Sequence, residues 1–360
     1  MGYVAARGGL RAIRAAERLI RRRRREAAAP EVSDEQFLAH LEPLVDRVIA
    51  EGGVWAPELA AAALRQGRGD PIEAAHLMRS YRSTLPVVAR AEADADEMEV
   101  LRRIVPAYRN PPGPQLLGLT ADYTGRILET TAVSDTADPS EITEVVDAPV
   151  AELSETADRR PTRLLDVLRA LDLVVDRRRR DDPDPVDVTA VAVRPPAPRS
   201  GRLSVMARAE TGALVNLWYR NILGPDGYLH EITLGEVRHG RLPVRLAHPR
   251  TGKPVTIGAV RVTEVEAIED LDGVDEDRGR LDVGYGMCFG HNEKKAIAMA
   301  NLDIACHRDA GRTQLEQSVL LTSDGLEATG FLEHLKLPHY VTFRSIVERK
   351  NAVREMAERP

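Results

Sequence analysis

The spacing of apolar residues changes along this chain, and the change limits the folds open to it. From Ser33 onward, Phe37, Leu41, Leu44, Val45 and Val48 recur three and four apart, which is the stripe of an amphipathic helix. Helical patterning continues to about residue 105. From Leu203 to about Ile268 the pattern differs. Runs such as 212–219 and 253–263 are rich in β-branched and aromatic residues and read as strands. The expectation is an α+β fold, with a helical N-terminal half and a β-rich C-terminal half with closing helices. Three regions follow: a helical stretch over 1–130, a variable acidic and charged connector with one helix over 131–200, and a β-rich region over 201–360.

Punctuation sharpens this outline. Ser33 with Gln36 reads as a capping box, each side chain satisfying a backbone N–H at the helix start. Gly52-Gly53 ends that helix, and Asp70-Pro71 with Glu73 starts the one that carries Arg79, Tyr81 and Arg82. Pro106, Pro111, Pro112 and Pro114 mark a loop leading to Gln115 through Gly118 and then Asp122-Tyr123-Thr124. No lysine or arginine lies between Arg126 and Arg159, while acidic residues recur throughout. That stretch reads as an acidic surface excursion. Residues 163–175 form an amphipathic helical pattern, and Pro195, Pro196 and Pro198 mark a boundary. Hairpin punctuation falls at Pro225-Asp226-Gly227 and His239-Gly240. Residues 269–277 read as an acidic loop. The glycine-rich run 284–290 then leads to a helix capped by Asn292.

Aromatic residues make up only 4% of the chain, so aliphatic side chains and alanine must fill the core. A formal charge of −6 argues against general nucleic-acid binding. Cys288 and Cys306 have neither C-x-x-C spacing nor a disulfide framework. No apolar run is long enough to span a bilayer, and the first residues lack the apolar stretch of a secretory signal. A reduced cytoplasm is the expected location.

Several groups are candidates for chemistry. Arg7-Gly8-Gly9 precedes a helix with arginines at 11, 14, 18, 21, 22 and 25 on one side and Leu10, Ile13 and Ile20 on the other. Free N–H groups at a helix start favour phosphate; a solvated basic helix is the alternative. Gly284, Gly286 and Gly290, with Tyr285 and Phe289, permit a ligand to approach the backbone or form a tight strand-to-helix corner. His334 and His339 flank Pro338. A chain reversing at Pro338 brings both imidazoles to one point as metal ligands, although two ligands do not close a site. Cys288, His291, Cys306 and His307 are other available donors.

Taken in order, Arg7-Gly8-Gly9, Asp46-Arg47, Glu51-Gly52-Gly53, 77–82, 115–118, 122–124, 284–303 and 334–340 resemble the PhnI family of the bacterial carbon–phosphorus lyase machinery. Residues 130–200 diverge from the family, and so does the His230-Glu231 step. The resemblance implies a subunit that, with its partners, displaces adenine from MgATP with a phosphonate such as methylphosphonate to give ribose 1-methylphosphonate 5-triphosphate. It also implies a purine nucleosidase activity of the subunit itself. The implied partners are the other core subunits of a hetero-oligomer, including the radical SAM lyase subunit that carries an iron–sulfur cluster. The small-molecule partners are ATP and an alkylphosphonate, with neither nucleic acid nor membrane.

Breaking the N-glycosidic bond develops positive charge on the ribose, so carboxylates are needed there and a proton donor at the purine. Asp122 and Glu236 are the catalytic candidates. Arg7, Gly8, Gly9, Arg79, Arg82, Gly284, Gly286 and Gly290 are candidates for gripping substrate. His334 and His339 are candidates for zinc, facing the radical partner. The competing reading is a non-catalytic core scaffold that contributes a metal site at that interface.

Overall fold

The computed structural model describes residues 9–122, 128, 161–175, 185–223, 233–270, 279–308, 313–337 and 340–358. Arg7, Gly8, Pro225-Asp226-Gly227, His230, His339 and nearly all of the acidic stretch 127–158 lie outside the described residues. Within them the fold is α+β, with twelve helices and one four-stranded antiparallel sheet. The helices of the first half are α1 (Gly9–Arg25), α2 (Asp34–His40), α3 (Glu42–Gly52), α4 (Pro57–Gln66) and α5 (Pro71–Arg82). β1 (Glu99–Ile104) and α6 (Leu164–Ala170) follow, then α7 (Arg199–Arg208), α8 (Thr211–Leu223), β2 (Thr233–Ala247), β3 (Pro254–Asp270) and β4 (Leu281–Phe289). The chain closes with α9 (Glu293–Arg308), α10 (Thr313–Thr322), α11 (Gly325–His334) and α12 (Tyr340–Ala357).

Local signals set the helical half. The Ser33–Gln36 capping box starts α2, Gly53 leaves α3 in the left-handed conformation (φ 67°), and Asp70 accepts from the Ile72 and Glu73 amides at the start of α5. Small Ala60, Ala61 and Ala63 let α4 pack closely on its neighbours. Phe37, Val48, Ile49, Leu64 and Met78 fill the space between. No residue of α1 is buried.

The strands run in the order β1-β2-β3-β4. α9 lies across β3 and β4 on one face. Gly284 and Gly286 make this possible, because a β-carbon at either would collide with the carbonyl oxygens of Ala300 or Ala296. The opposite face is covered by α6, whose Leu164, Leu165 and Leu168 pack with Val105 and Ile268.

Several sequence expectations change here. Residues 212–219 are helix, not strand. Leu214, Leu217 and Trp218 present an i, i+3, i+4 stripe to the α9 core, and the Glu210 carboxylate accepts from the Gly212 and Ala213 amides at 2.8 and 2.6 Å. Capping and packing therefore override a weak strand propensity. His239-Gly240 sits mid-strand, paired with Thr263 and Val262. The β2–β3 reversal comes at residues 248–253, where Gly252 has φ 66° and donates to the His248 carbonyl. Helical structure does not persist to 105, since 99–104 form β1. The helix expected over 163–175 ends at Ala170. Asp172 then turns the chain at φ 55°, and Val174 bridges Leu281 in parallel. Glu269 and Asp270 belong to β3 rather than to a loop, and residues 281–289 are strand. No helix among the described residues is long and apolar enough to cross a membrane.

Candidate functional site

Consecutive side chains of a strand point to opposite faces. On β1 this places Arg102 and Arg103 in two separate polar clusters, one on each side of the sheet. The two candidate carboxylates go with them. Arg102 Nη2 donates to Asp122 Oδ2 at 2.7 Å, and Arg103 Nε donates to Glu236 Oε1 at 2.8 Å. The structure does not bring Asp122 and Glu236 together.

The cluster on the α9 side gathers at the start of that helix. Arg102 also donates to Glu293 at 2.6 Å and to the Leu117 carbonyl at 2.6 Å. His291 Nε2 is 3.5 Å from Glu293, and its ring stacks on His239 with centroids 4.4 Å apart. Burial, reinforced by His291, pushes the His239 pKa down to about 4, so the ring is neutral at pH 7. Burial works against the Glu293 carboxylate too. Hydrogen bonds from His291 and Arg102 outweigh it and bring its pKa down to about 2. Asp46 anchors this cluster to α3. It accepts from the His291 amide at 2.8 Å and from Arg261 at 2.7 Å. Gly290 makes that approach possible: it has φ 72°, and a β-carbon on it would lie 2.7 Å from the Asp46 Cβ. The Asp122 side chain is 48% exposed, so it is open to solvent.

The cluster on the α6 side is drier. Arg103 is fully buried and also donates to the carbonyls of Pro112, Pro114 and Thr162 at 2.8, 2.9 and 3.0 Å. It thereby ties the proline-rich loop to the sheet. Glu236 accepts from both Arg103 and the Leu164 amide, so each of its oxygens is held. Beside this pair, Arg238 donates to Glu264, Tyr285 donates its hydroxyl to Glu264 at 2.9 Å, and Arg163 donates to Glu264, Glu266 and Asp96. Burial raises the Glu266 pKa despite Arg163, and the like charge of Glu264 adds to the rise. Asp96, Arg163, Glu264, Glu266 and Tyr285 line a cavity of about 500 Å³ between the sheet, α6 and the start of α7, within the size range of small-molecule sites.

The remaining candidates fall elsewhere. Arg79 is a clamp between elements: it donates to Asp324 at the start of α11 (2.5 Å), to the Glu51 carbonyl (2.9 Å) and to the Arg208 carbonyl (2.6 Å). Arg82 ends α5, and Gly9 opens α1. Gly284 and Gly286 lie within β4, where the close approach they permit is to α9. His334 ends α11 with its ring parallel to Phe331. Among the described residues no group of three or more His, Cys, Asp or Glu side chains converges to hold a metal ion. Cys288 and Cys306 are buried and form no disulfide with each other. The described donors therefore do not fit a zinc site by themselves.

Sequence reasoning missed His239, Glu293, Arg163, Glu264 and Glu266. A signal for the last two was present. In Val262-Thr263-Glu264-Val265-Glu266-Ala267-Ile268, carboxylates alternate with apolar residues inside a run that is apolar on both flanks. That pattern places two acids on one face of a central strand.

A helical half joined to a four-stranded sheet with a polar cluster on each face is the architecture that the comparisons can now be set against. The family described as bacterial phosphonate metabolism protein (PhnI) matches residues 2–357, and the chain belongs to it. The chain is similar to HtxH of Stutzerimonas stutzeri, at 39% identity over 99% of this chain and 97% of the relative. It is also similar to two proteins named alpha-D-ribose 1-methylphosphonate 5-triphosphate synthase subunit PhnI. The one from Rhizobium meliloti is 38% identical over 95% of this chain and 92% of its own length. The one from Escherichia coli is 36% identical over 96% of each.

Proposed function

We propose that this chain is the subunit of a phosphonate-degrading complex in which methylphosphonate displaces adenine from MgATP, giving ribose 1-methylphosphonate 5-triphosphate. We also assign it a purine nucleosidase activity of its own. The observation that carries this reading is near-full-length identity of 38% and 36% to two proteins named as subunits of that synthase.

The chemistry follows from the bond that breaks. ATP carries its base in the β configuration and the product is α, so C1′ inverts. Inversion is the outcome of one displacement, with the phosphonate oxygen entering as the base leaves. Asp122 is assigned to the developing ribosyl cation, since it alone of the two candidate carboxylates is open to a substrate. Glu236 acts through Arg103 as a positioning residue. Arg7, Gly8, Gly9 and Arg82 are assigned to the triphosphate, where arginine forks and helix-start amides suit phosphate oxygens. Arg79, Gly284, Gly286 and Gly290 hold the elements around the site. Mg²⁺ enters with ATP as part of the substrate.

Zinc at His334 and His339 is proposed only as a shared site, with further donors from the radical SAM lyase subunit facing it; imidazole suits zinc. Replacing both histidines should lower the metal content of the assembled complex, and unchanged stoichiometry removes the assignment. Exposed Phe331 and Leu332 on α11, Leu335 just after it, and Val341, Phe343 and Met356 on α12 support docking of the chain among other core subunits. They also favour the alternative of a scaffold whose active groups lie on its partners.

One experiment separates the two readings. The purified chain, with MgATP or MgGTP, is assayed for free base, and the assembled complex is assayed with methylphosphonate added. Base release by the chain alone supports the catalytic reading. Silence of the chain, with Asp122→Asn leaving the complex fully active, supports the scaffold.

A further inference from the structure

Glu293 is a second carboxylate beside Asp122, and the sheet delivers it there. Arg102 pairs with His239 between β1 and β2, His239 with Thr263, and Thr263 with Cys288. One row of side chains therefore crosses all four strands on the α9 side. Thr263 fixes the turn into α9: its hydroxyl accepts from the Asn292 amide at 3.1 Å and donates to the Gly290 carbonyl at 2.7 Å. Glu293 follows as the first residue of α9, and this places it against Arg102 on the opposite edge strand.

Arg102 holds the two carboxylates unevenly. Its Nε donates to Glu293 Oε1 at 2.6 Å. Its Nη2 gives the short bond, 2.7 Å, to Asp122 Oδ2 and lies 3.4 Å from Glu293 Oε2. Glu293 Oε2 has no other partner among the described residues, and a carboxylate oxygen has room for a second donor. The two carboxylates thus converge on one guanidinium nitrogen, with Asp122 half-exposed and the Glu293 side chain 19% exposed behind it. In a ribose, C1′ and the carbon bearing the 2′-hydroxyl are ring neighbours. A sugar that sets C1′ against Asp122 brings its 2′-hydroxyl to the adjoining carboxylate.

We propose that Glu293 accepts a hydrogen bond from the ribose 2′-hydroxyl and so selects ribonucleotides over 2′-deoxyribonucleotides. This deepens the function proposed above and rests on Asp122 facing C1′. Burial opposes ionisation of Glu293, but hydrogen bonds from His291 and Arg102 hold its pKa at about 2. The acceptor is therefore charged throughout the neutral range, which makes the stronger bond. The bond tightens as the base leaves, because the cation forming at C1′ makes the neighbouring hydroxyl a better donor. Asp46 cannot take the role: it is fully buried, and its oxygens accept from Arg261 and the His291 amide. Glu236 lies across the sheet with Arg103.

The test follows base release from MgATP and from Mg-2′-deoxyATP by the assembled complex, as kcat/KM. Deoxyribosyl bonds break more readily by themselves, since no hydroxyl withdraws electrons from the forming cation. The diagnostic is therefore how the preference between the two substrates changes. Glu293→Gln keeps an acceptor for Arg102 and removes the charge. Its preference for ATP over 2′-deoxyATP should fall at least about tenfold from that of the wild type, through loss on ATP with 2′-deoxyATP little changed. Equal losses on both substrates, or none on either, overturn the assignment and leave Glu293 a tether for Arg102. Should the variant fail to fold, calorimetry on the wild-type complex decides. The ligands are 9-deaza-ATP, whose base is joined through carbon and does not leave, and its 2′-deoxy form. Binding at least about fivefold weaker for the deoxy form supports the contact, and equal binding overturns it. If the wild-type complex releases no base from ATP, the function proposed above falls and this assignment with it. Release by the wild type with an unmoved preference in the variant sinks the assignment alone.

Discussion

Arg102 and Arg103 are chain neighbours, each buried and each paired with a carboxylate from a distant segment, yet they live in different solvents. On the α9 face the partners of Arg102 stay in reach of water: the Glu293 side chain is 19% exposed and that of Asp122 48%. On the α6 face Glu236 is 2% exposed, and Arg103 donates to three backbone carbonyls besides. The same residue type at adjacent positions thus serves two purposes. The wetter side leaves a carboxylate exposed to solvent. The drier side uses charge to fix a loop and a helix to the sheet, and leaves a cavity next to the fixed part.

The largest expected effect tests this contrast directly. Arg103→Met leaves the buried Glu236 with only the more distant Arg238, 4.0 Å away, and frees three carbonyls. The expected loss is about 3–5 kcal/mol in chemical denaturation. Arg102→Met releases two carboxylates that can turn toward water, and about 1–2 kcal/mol is expected. Equal losses would break the distinction between a dry and a wet face.

His239 and Glu266, one on each face, should answer pH with opposite sign. His239 titrates at 6.5 when unfolded and at about 4 when folded. Between these values the unfolded chain binds more protons, so stability rises with pH there. A group this well buried contributes about 2–3 kcal/mol, complete above pH 6.5 and lost on acidification toward 4. Glu293 continues the same trend below 4.5, since its folded value is about 2. Glu266 goes the other way. Its folded pKa is raised, so above pH 4.5 the folded chain keeps a proton that the unfolded chain releases, and stability falls as pH rises. The two contributions oppose each other between pH 4.5 and 6.5, so in denaturation curves over pH 4–8 His239→Gln should make stability fall more with rising pH there and Glu266→Gln should make it rise more steeply. If the two changes fail to add in the double variant, the charges are coupled through the sheet and the faces are not independent.

What the chain reveals before folding tracks how local the cause is. The caps of α2 and α5, the Gly53 stop and the Asn292 start are written in neighbouring residues, and each is found in place, with Asn292 accepting from the Lys295 amide. The α8 segment misleads because its β-branched and aromatic residues gain helical order from a cap on Glu210 and from packing against α9, which lies about 80 residues away. The glycines of β4 signal a close approach, but nothing nearby in sequence says that the approaching backbone is α9. The site is less legible still. Arg102 and Arg103 draw partners from 9 to 191 positions away, and only the pleat of β1 decides which carboxylate each one meets.

The smallest effect on stability should come with a large effect on activity. Asp122 holds Arg102 through one half-exposed carboxylate oxygen. Asp122→Asn keeps an acceptor for that guanidinium, so the midpoint should move by less than about 1 kcal/mol. If Asp122 stabilises a ribosyl cation, removing its charge should slow base release by about 100-fold or more, through kcat rather than KM, because the interaction strengthens only as the charge develops. Glu236→Asn, on the dry face, should reverse the pattern: it shortens the partner of Arg103 and costs stability first, with activity falling only as the fold does. A stable Asp122→Asn chain with unchanged base release would reduce Asp122 to a tether for Arg102. The open face would then be merely wetter than the other.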